Sequence, residues 1–299
     1  MKLVKSVLSA SIIAAAVSTA TAAEFDIYGS IQPMYDPEGH RFPSQGGERT
    51  QAVTQAGIKL TETLTNGISL SANYEIYLNG ADWDDLKTSS TEARQAHVGL
   101  SGDFGTVKIG RTQTPSYMAV GYVADMFYWY TTGSIVTASR QDSSIFYNSP
   151  DMDGLNIAVA VSNSDDSTSE GGEDRKDLAV TYKVNDNITL AASHVTSDTA
   201  AKENKGIAMT YTRDSLKVMV SREDSDAKDA SNIFASYTID DNTSVAAHYA
   251  DLDSSGTKTN PWVVAGYRTL TDDLTLWVEY TEYDGSGDAV PAVGLDYRF

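Results

Sequence analysis

The chain of 299 residues has no cysteine, so no disulfide can staple it and it must hold together by hydrogen bonding and size. Beyond its N-terminal stretch it has no long apolar run, which excludes a membrane-spanning helix from the body of the sequence. Positive charge is scarce: 22 Lys and Arg stand against 41 Asp and Glu. That balance argues against nucleic-acid partners. It suggests either an acidic solvated surface or a conduit that attracts cations. Histidine is sparse as well. His40, His97, His194 and His248 are the whole supply, and none accompanies a Gly-x-Ser-x-Gly or other nucleophile motif, so no enzyme is expected. The acidic clusters lack the spacing of a calcium loop, and neither a metal nor a cofactor is expected.

Residues 1–22 read as a secretory signal peptide. Lys2 and Lys5 supply the positive region, residues 7–17 the apolar region, and Ala20-Thr21-Ala22 the small-residue cleavage site. The expected mature chain, residues 23–299, is one domain. Without the two lysines it keeps 20 basic against 41 acidic residues, a net charge near −21.

The rest of the chain alternates. Residues 68–79 show it best: Ile68, Leu70, Ala72, Tyr74, Ile76 and Leu78 share one face, and Ser69, Ser71, Asn73, Glu75 and Tyr77 the other. Period two over a dozen residues is a strand long enough to cross a hydrocarbon layer when tilted. Sixteen such segments can be read. Gly102-Asp103-Phe104-Gly105, Asn185-Asp186-Asn187, Arg213-Asp214-Ser215 and Asp240-Asp241-Asn242 mark tight turns between them. Longer polar stretches, 163–175, 198–204, 251–260 and 284–288, alternate with the tight turns. Short turns at one end and larger loops at the other are the asymmetry of outer-membrane barrels. A soluble sandwich also alternates, but here the apolar faces end in Tyr74, Tyr182, Tyr211, Tyr237, Trp262, Tyr280 and Tyr297, as interfacial girdles do. The opposite faces carry polar or small groups, such as Thr189, Ala191 and Ser193, where a soluble core would need bulk. The expected fold is all-β: a transmembrane antiparallel β-barrel of about 16 strands, each strand and its connection taking roughly 17 residues.

One stretch breaks the pattern. Residues 114–140 are aromatic, Gly-containing and nearly uncharged, with Asp125 their only acid. A surface loop would be more polar, and a long ordered loop is usually functional. The expectation is that it folds into the lumen of a closed β-barrel; a short buried helix in a soluble domain is the plainer reading.

Several segments carry a family resemblance. Phe25-Asp26-Ile27-Tyr28-Gly29 opens the chain, and Val98-Gly99-Leu100-Ser101-Gly102-Asp103-Phe104-Gly105-Thr106-Val107-Lys108-Ile109-Gly110-Arg111 is the most specific match. Ser144-Ile145-Phe146-Tyr147-Asn148-Ser149-Pro150 follows the long loop, and Gly294-Leu295-Asp296-Tyr297-Arg298-Phe299 ends the chain. In this order they resemble the general diffusion porins of Gram-negative outer membranes, trimers of sixteen-stranded barrels narrowed by the third extracellular loop. The resemblance implies a passive, water-filled pore for small hydrophilic solutes and ions. It implies a homotrimer, contact with outer-membrane lipid and lipopolysaccharide, and Tyr297 and Phe299 as the signal read by the barrel-assembly machinery. Small or polar residues early in the chain, Gly29, Ala52, Ala56, Gln95 and Gly99, suit the subunit contact.

The family sets loop acids against basic residues on the wall. Arg94 and Arg140 match such wall positions, and Asp125 is the loop acid placed opposite. Ser30 stands where the family often has a basic residue, and the usual Pro-Glu-Phe-Gly-Gly-like loop motif is absent, so the constriction is expected to carry less charge. By alternation Glu75 points inward, and Lys59 inward or at the rim. Arg94 shares parity with the outward Ala96 and Val98, and reaches the pore only if a bulge intervenes. Arg111 is expected to pair with Glu92 or Asp103. Tyr128, Trp129 and Tyr130 either pack the loop to the wall or offer a sugar-stacking surface, the basis of an alternative reading as an oligosaccharide channel. Net acidity favours a moderate cation preference; anion selectivity would need a basic ring.

Overall fold

The computed structural model describes residues 23–37, 49–64, 67–80, 92–130, 134–162, 174–198, 203–282 and 290–299. The expected signal peptide, the acidic stretch 163–173 and residues 283–289 lie outside them. The strands are β1 (Glu24–Asp36), β2 (Arg49–Thr63), β3 (Ser69–Gly80), β4 (Glu92–Gly102), β5 (Gly105–Gln113), β6 (Arg140–Asn148), β7 (Leu155–Ser162), β8 (Arg175–Lys183) and β9 (Ile188–Ser197). They continue as β10 (Glu203–Arg213), β11 (Leu216–Ser225), β12 (Lys228–Asp240), β13 (Thr243–Ser254), β14 (Thr257–Thr259), β15 (Trp262–Thr271), β16 (Leu274–Glu282) and β17 (Val290–Arg298). Each pairs antiparallel with its neighbours in the chain, β14 and β15 excepted, and β1 also pairs with β17, which closes the sheet. β14 and β15 both pair with β13, end to end, so the wall has sixteen staves. The fold is a closed sixteen-stranded antiparallel barrel.

The wall is inside out relative to a soluble protein. Ile27 and Ile109 are 61% exposed and Ile207 is 63% exposed, while Glu279 and Thr281 on the opposite face are fully buried. In water such a face would be an aggregation site; in hydrocarbon it is the favourable surface. The strands, mostly 8–15 residues long, match a span that needs roughly 9–11. Tyr74, Tyr182, Tyr237, Tyr280 and Tyr297 are exposed on the apolar face, where rings with one wet end belong.

Two glycines make room at the seam. A Cβ on Gly29 would stand 2.6 Å from the Phe299 ring, and one on Gly57 2.3 Å from Tyr28. Gly29 and Phe299 exchange backbone hydrogen bonds of 3.0 and 3.1 Å. Two expectations need correction. Residues 251–260 are not a loop: β13 runs on to Ser254, a tight turn with Gly256 at φ +88° follows, and β14 returns. Gln95 and Gly99 belong to the face opposite Leu100 and Val98. Gln95 pairs across from Glu75, and a Cβ on Gly99 would meet Ser71 Oγ and Lys108 Cγ. Neither suits a subunit contact.

Candidate functional site

Between β5 and β6 the chain leaves the sheet. Thr114 caps a short helix, α1 (Pro115–Ala119): its Oγ1 accepts from Tyr117 N at 3.2 Å, and Pro115 fills the first turn, where no N–H is missed. A single 3-10 turn, η1 (Gly121–Ala124), follows. The base is closed by Thr114 N donating to Ser139 O at 3.1 Å and Thr114 Oγ1 to Ala138 O at 2.7 Å.

The segment then engages strands far along the chain, always through their non-apolar face. At its start, Asp177 on β8 accepts from Ser116 N at 3.0 Å and Ser116 Oγ at 2.7 Å, and Arg175 ties Asp177 to Thr137. Val123 packs with Met219 and Phe234. Phe127 meets Phe234 edge-on at 5.9 Å and stacks on His248 at 6.2 Å. Tyr128 stacks on Trp277 at 5.8 Å and meets Tyr267 edge-on. Beyond it, Glu279 on β16 binds three consecutive backbone N–H groups: Tyr128 N at 2.6 Å, Trp129 N at 3.0 Å and Tyr130 N at 2.7 Å. The Trp129 indole donates to Asp36 at 3.1 Å, and Ser134 to Asn232 at 2.5 Å. A buried carboxylate is costly unless such donors surround it. The wall acids Asp36, Asp177 and Glu279 therefore hold this segment in place.

The sequence-derived residues fall into three groups. On β1 to β4, the Tyr28 hydroxyl lies 2.9 Å from both Asn73 Oδ1 and Glu75 Oε2, and Arg94 Nε donates to Glu75 Oε1 at 2.6 Å. Arg94 also lies over the Tyr77 ring at 5.4 Å, and Lys59 over the Tyr28 ring at 4.4 Å. A bulge makes this possible. Glu75 pairs across from Gln95 and Ile76 from Ala93, so Arg94 is the extra residue, turned against its parity.

The second group lies at the base of the segment. The Tyr117 hydroxyl donates to Asp125 Oδ2 at 2.5 Å. Burial and the Asp125 charge hold the Tyr117 phenol above its ordinary pKa, against an opposing pull from the Arg140 charge. Among the described residues Asp125 makes no ion pair with Arg94 or Arg140. Arg140 gives a long 3.5 Å contact to Ser139 Oγ, and its buried Nε has no hydrogen-bond partner. Arg111 pairs with Asp142 at 2.6 Å, not with Glu92 or Asp103, at a second bulge where Ser143 takes φ +48°.

The third group is the aromatic run. Trp129 and Tyr130 are buried, and burial pushes the Tyr128 phenol up to about 12. Sequence reading missed Glu279, Asp177 and Asp36. The available signal was parity: Trp277, Glu279 and Thr281 alternate with Leu276, Val278 and Tyr280, which puts an acid on the inner face among bulky groups.

A closed wall with an apolar exterior, carrying a long segment docked on its polar face, defines an outer-membrane channel. The family model of the Gram-negative porins matches residues 9–288, and the chain belongs to that family. It is 25% identical to a monosaccharide porin of a Halomonas species, over 96% of this chain and 94% of that one. Among solved structures, Salmonella typhi OmpF in complex with daunomycin superposes with a TM-score of 0.79 at 16% identity, covering 94% of this chain and all of the other. The trimer form of Vibrio cholerae OmpT gives 0.72 at 14% identity, over 93% of this chain and all of that one. The protein is a porin, a multi-pass β-barrel of the outer membrane. The family and fold are those of channels, not of enzymes.

Proposed function

We propose that this porin is a passive, water-filled pore for small hydrophilic solutes and ions, with a moderate preference for cations. Segment 114–140 acts as the constriction, lying across the lumen. The observation that carries this reading is the Glu279 clamp on Tyr128, Trp129 and Tyr130, which ties the middle of a loop from the β5–β6 end to the wall at β16. Glu75, Lys59, Arg94, Arg140 and Asp125 line or flank the passage. Because Arg94 is paired with Glu75, and the single charge of Asp125 is set against that of Arg140, the constriction is nearly balanced and adds little net field. Selectivity comes chiefly from acids at the mouth, among them Asp198, Asp251 and Asp253. The Debye length is about 10 Å at 0.1 M salt and about 3 Å at 1 M. Mouth-derived selectivity therefore falls steeply with salt. Reversal potentials of purified protein in planar bilayers, under a KCl gradient at low and high mean salt, test this. The expected sign is cationic, strong at low salt and weak at high salt; an anionic sign at both would overturn it.

The same reading includes removal of residues 1–22 as a signal peptide and assembly as a homotrimer. Tyr297 and Phe299 serve as the barrel-assembly signal, and the outer wall contacts lipopolysaccharide. A sugar-preferring channel is the second reading. The Halomonas relative's description as a monosaccharide porin favours it, and the Tyr122 ring of the segment stays partly exposed. The Tyr128 face, however, is occupied by Trp277. Block of the current by an oligosaccharide at micromolar concentration is the result that selects this reading.

A further inference from the structure

Beneath α1 lies a half-open chamber of about 450 Å³, lined by residues of β3 to β8 and roofed by Pro115, Met118 and Ala119. Its volume is within the roughly 300–1,000 Å³ of small-molecule sites. In a chain this acidic its lining is unexpected: among the described residues no aspartate or glutamate lines it, and Lys108 is the only charged side chain there. Among the described residues Lys108 has no carboxylate partner, and its ammonium lies 5.7 Å from the Phe146 ring centroid. Arg94 and Arg111, by contrast, are paired with Glu75 and Asp142.

The neighbours of Lys108 refine what it would take. Asn148 and Asn156, which line the chamber, each give an amide N–H to Ser149 O, at 3.1 and 2.8 Å, and each also carries an amide oxygen able to accept. The Thr181 hydroxyl also lines it. Bare phosphate or chloride would need donors throughout. A lone ammonium beside acceptor oxygens instead matches a carboxylate joined to hydroxyl groups that donate. The apolar sides of Phe146 and Met118 suit the C–H face of the same molecule.

We propose that the chamber is a weak binding site for small polyhydroxylated monocarboxylates, the sugar acids, with Lys108 taking the carboxylate and Asn148, Asn156 and Thr181 the hydroxyls. The proposal rests on the reading of the barrel as a channel and names a solute class for it. It is compatible with a cation preference set at the mouth, because the field of the outer acids is screened over about 8 Å at physiological salt.

Glucuronate, glucose and inorganic phosphate, each added at the same millimolar concentration to the channel in a planar bilayer, provide the test. Glucuronate should interrupt the ion current, and glucose and phosphate should do so much less. Lys108→Gln should weaken the glucuronate effect about tenfold, the equivalent of about 1.4 kcal/mol. Lys108→Arg should retain it, and Lys183→Gln, at an exposed turn, should leave it unchanged. An effect equal in wild type and Lys108→Gln, or equal for glucose and glucuronate, would overturn the proposal. Equilibrium dialysis of labelled glucuronate against detergent-solubilised protein reads the site without conduction. Binding that depends on Lys108 in a protein that carries no current would refute the channel and keep the site.

Discussion

Glu279 shows how much one side chain can organise. Its carboxylate meets three successive N–H groups of the long segment, contacts that charge assistance makes worth about 1.5–3 kcal/mol each. Glu279→Gln keeps the shape, removes the charge and leaves one oxygen where two accepted. The expected outcome is a segment less firmly held, read as higher mean single-channel conductance with more open-channel noise, while heat resistance of the barrel stays close to wild type. Nothing local in the sequence announces this role. A side chain that accepts from backbone N–H groups about 150 positions away demands no particular residue type at the other end, so the pairing leaves no motif. Glu75 was legible for the opposite reason: its strand alternates without interruption, and parity alone fixes its direction. Arg94 was not, because a single inserted residue reverses parity and bulges have no simple sequence signature. Asp125 was recognisable as the segment's one acid, but its partner, the Tyr117 hydroxyl, is neutral and could not be found by looking for charge.

At the scale of elements, the strands were legible because a membrane wall repeats one rule, apolar outward and polar or small inward, at every stave. The boundaries drifted where strands outrun the hydrocarbon. β13 and β14 extend as a polar hairpin through Asp251, Asp253 and Lys258, and a polar hairpin has the composition of a loop. The long segment was legible as an exception to alternation; it does contain a short helix, α1, but within a barrel and not in the soluble domain that the plainer reading assumed. Its anchoring is distributed: Asp177 near the start, the Phe127 and Tyr128 rings in the middle, and Ser134 on Asn232 beyond. Deleting residues 127–132 removes only the middle anchors. Conductance should rise while the barrel still resists detergent and migrates folded on a semi-native gel. Unchanged conductance would mean that the stretch does not narrow the passage.

For the whole molecule, the apolar exterior leaves open which arc faces protein and which faces lipid. With Gln95 and Gly99 assigned to the inner face, Gly29 and Ala56 remain as small outward groups on adjacent strands, paired directly across from one another. The Phe299 ring lies over Gly29, so Ala56 is the small outward group that suits the contact arc of the proposed homotrimer. Native mass measurement after mild extraction should find three copies, and Ala56→Trp should shift the distribution toward one. The closure of the wall has a temporal consequence. Every strand but the first and last finds its partners close to it in the chain, whereas β1 must wait for β17. Until then the nascent sheet carries two unpaired borders, each able to add a strand from any passing chain. Because the contact that removes both borders is also the one of greatest sequence separation, it is the slowest to form by diffusion alone. A polypeptide built this way is most open to wrong pairing in the interval before ring closure, when both borders are still bare.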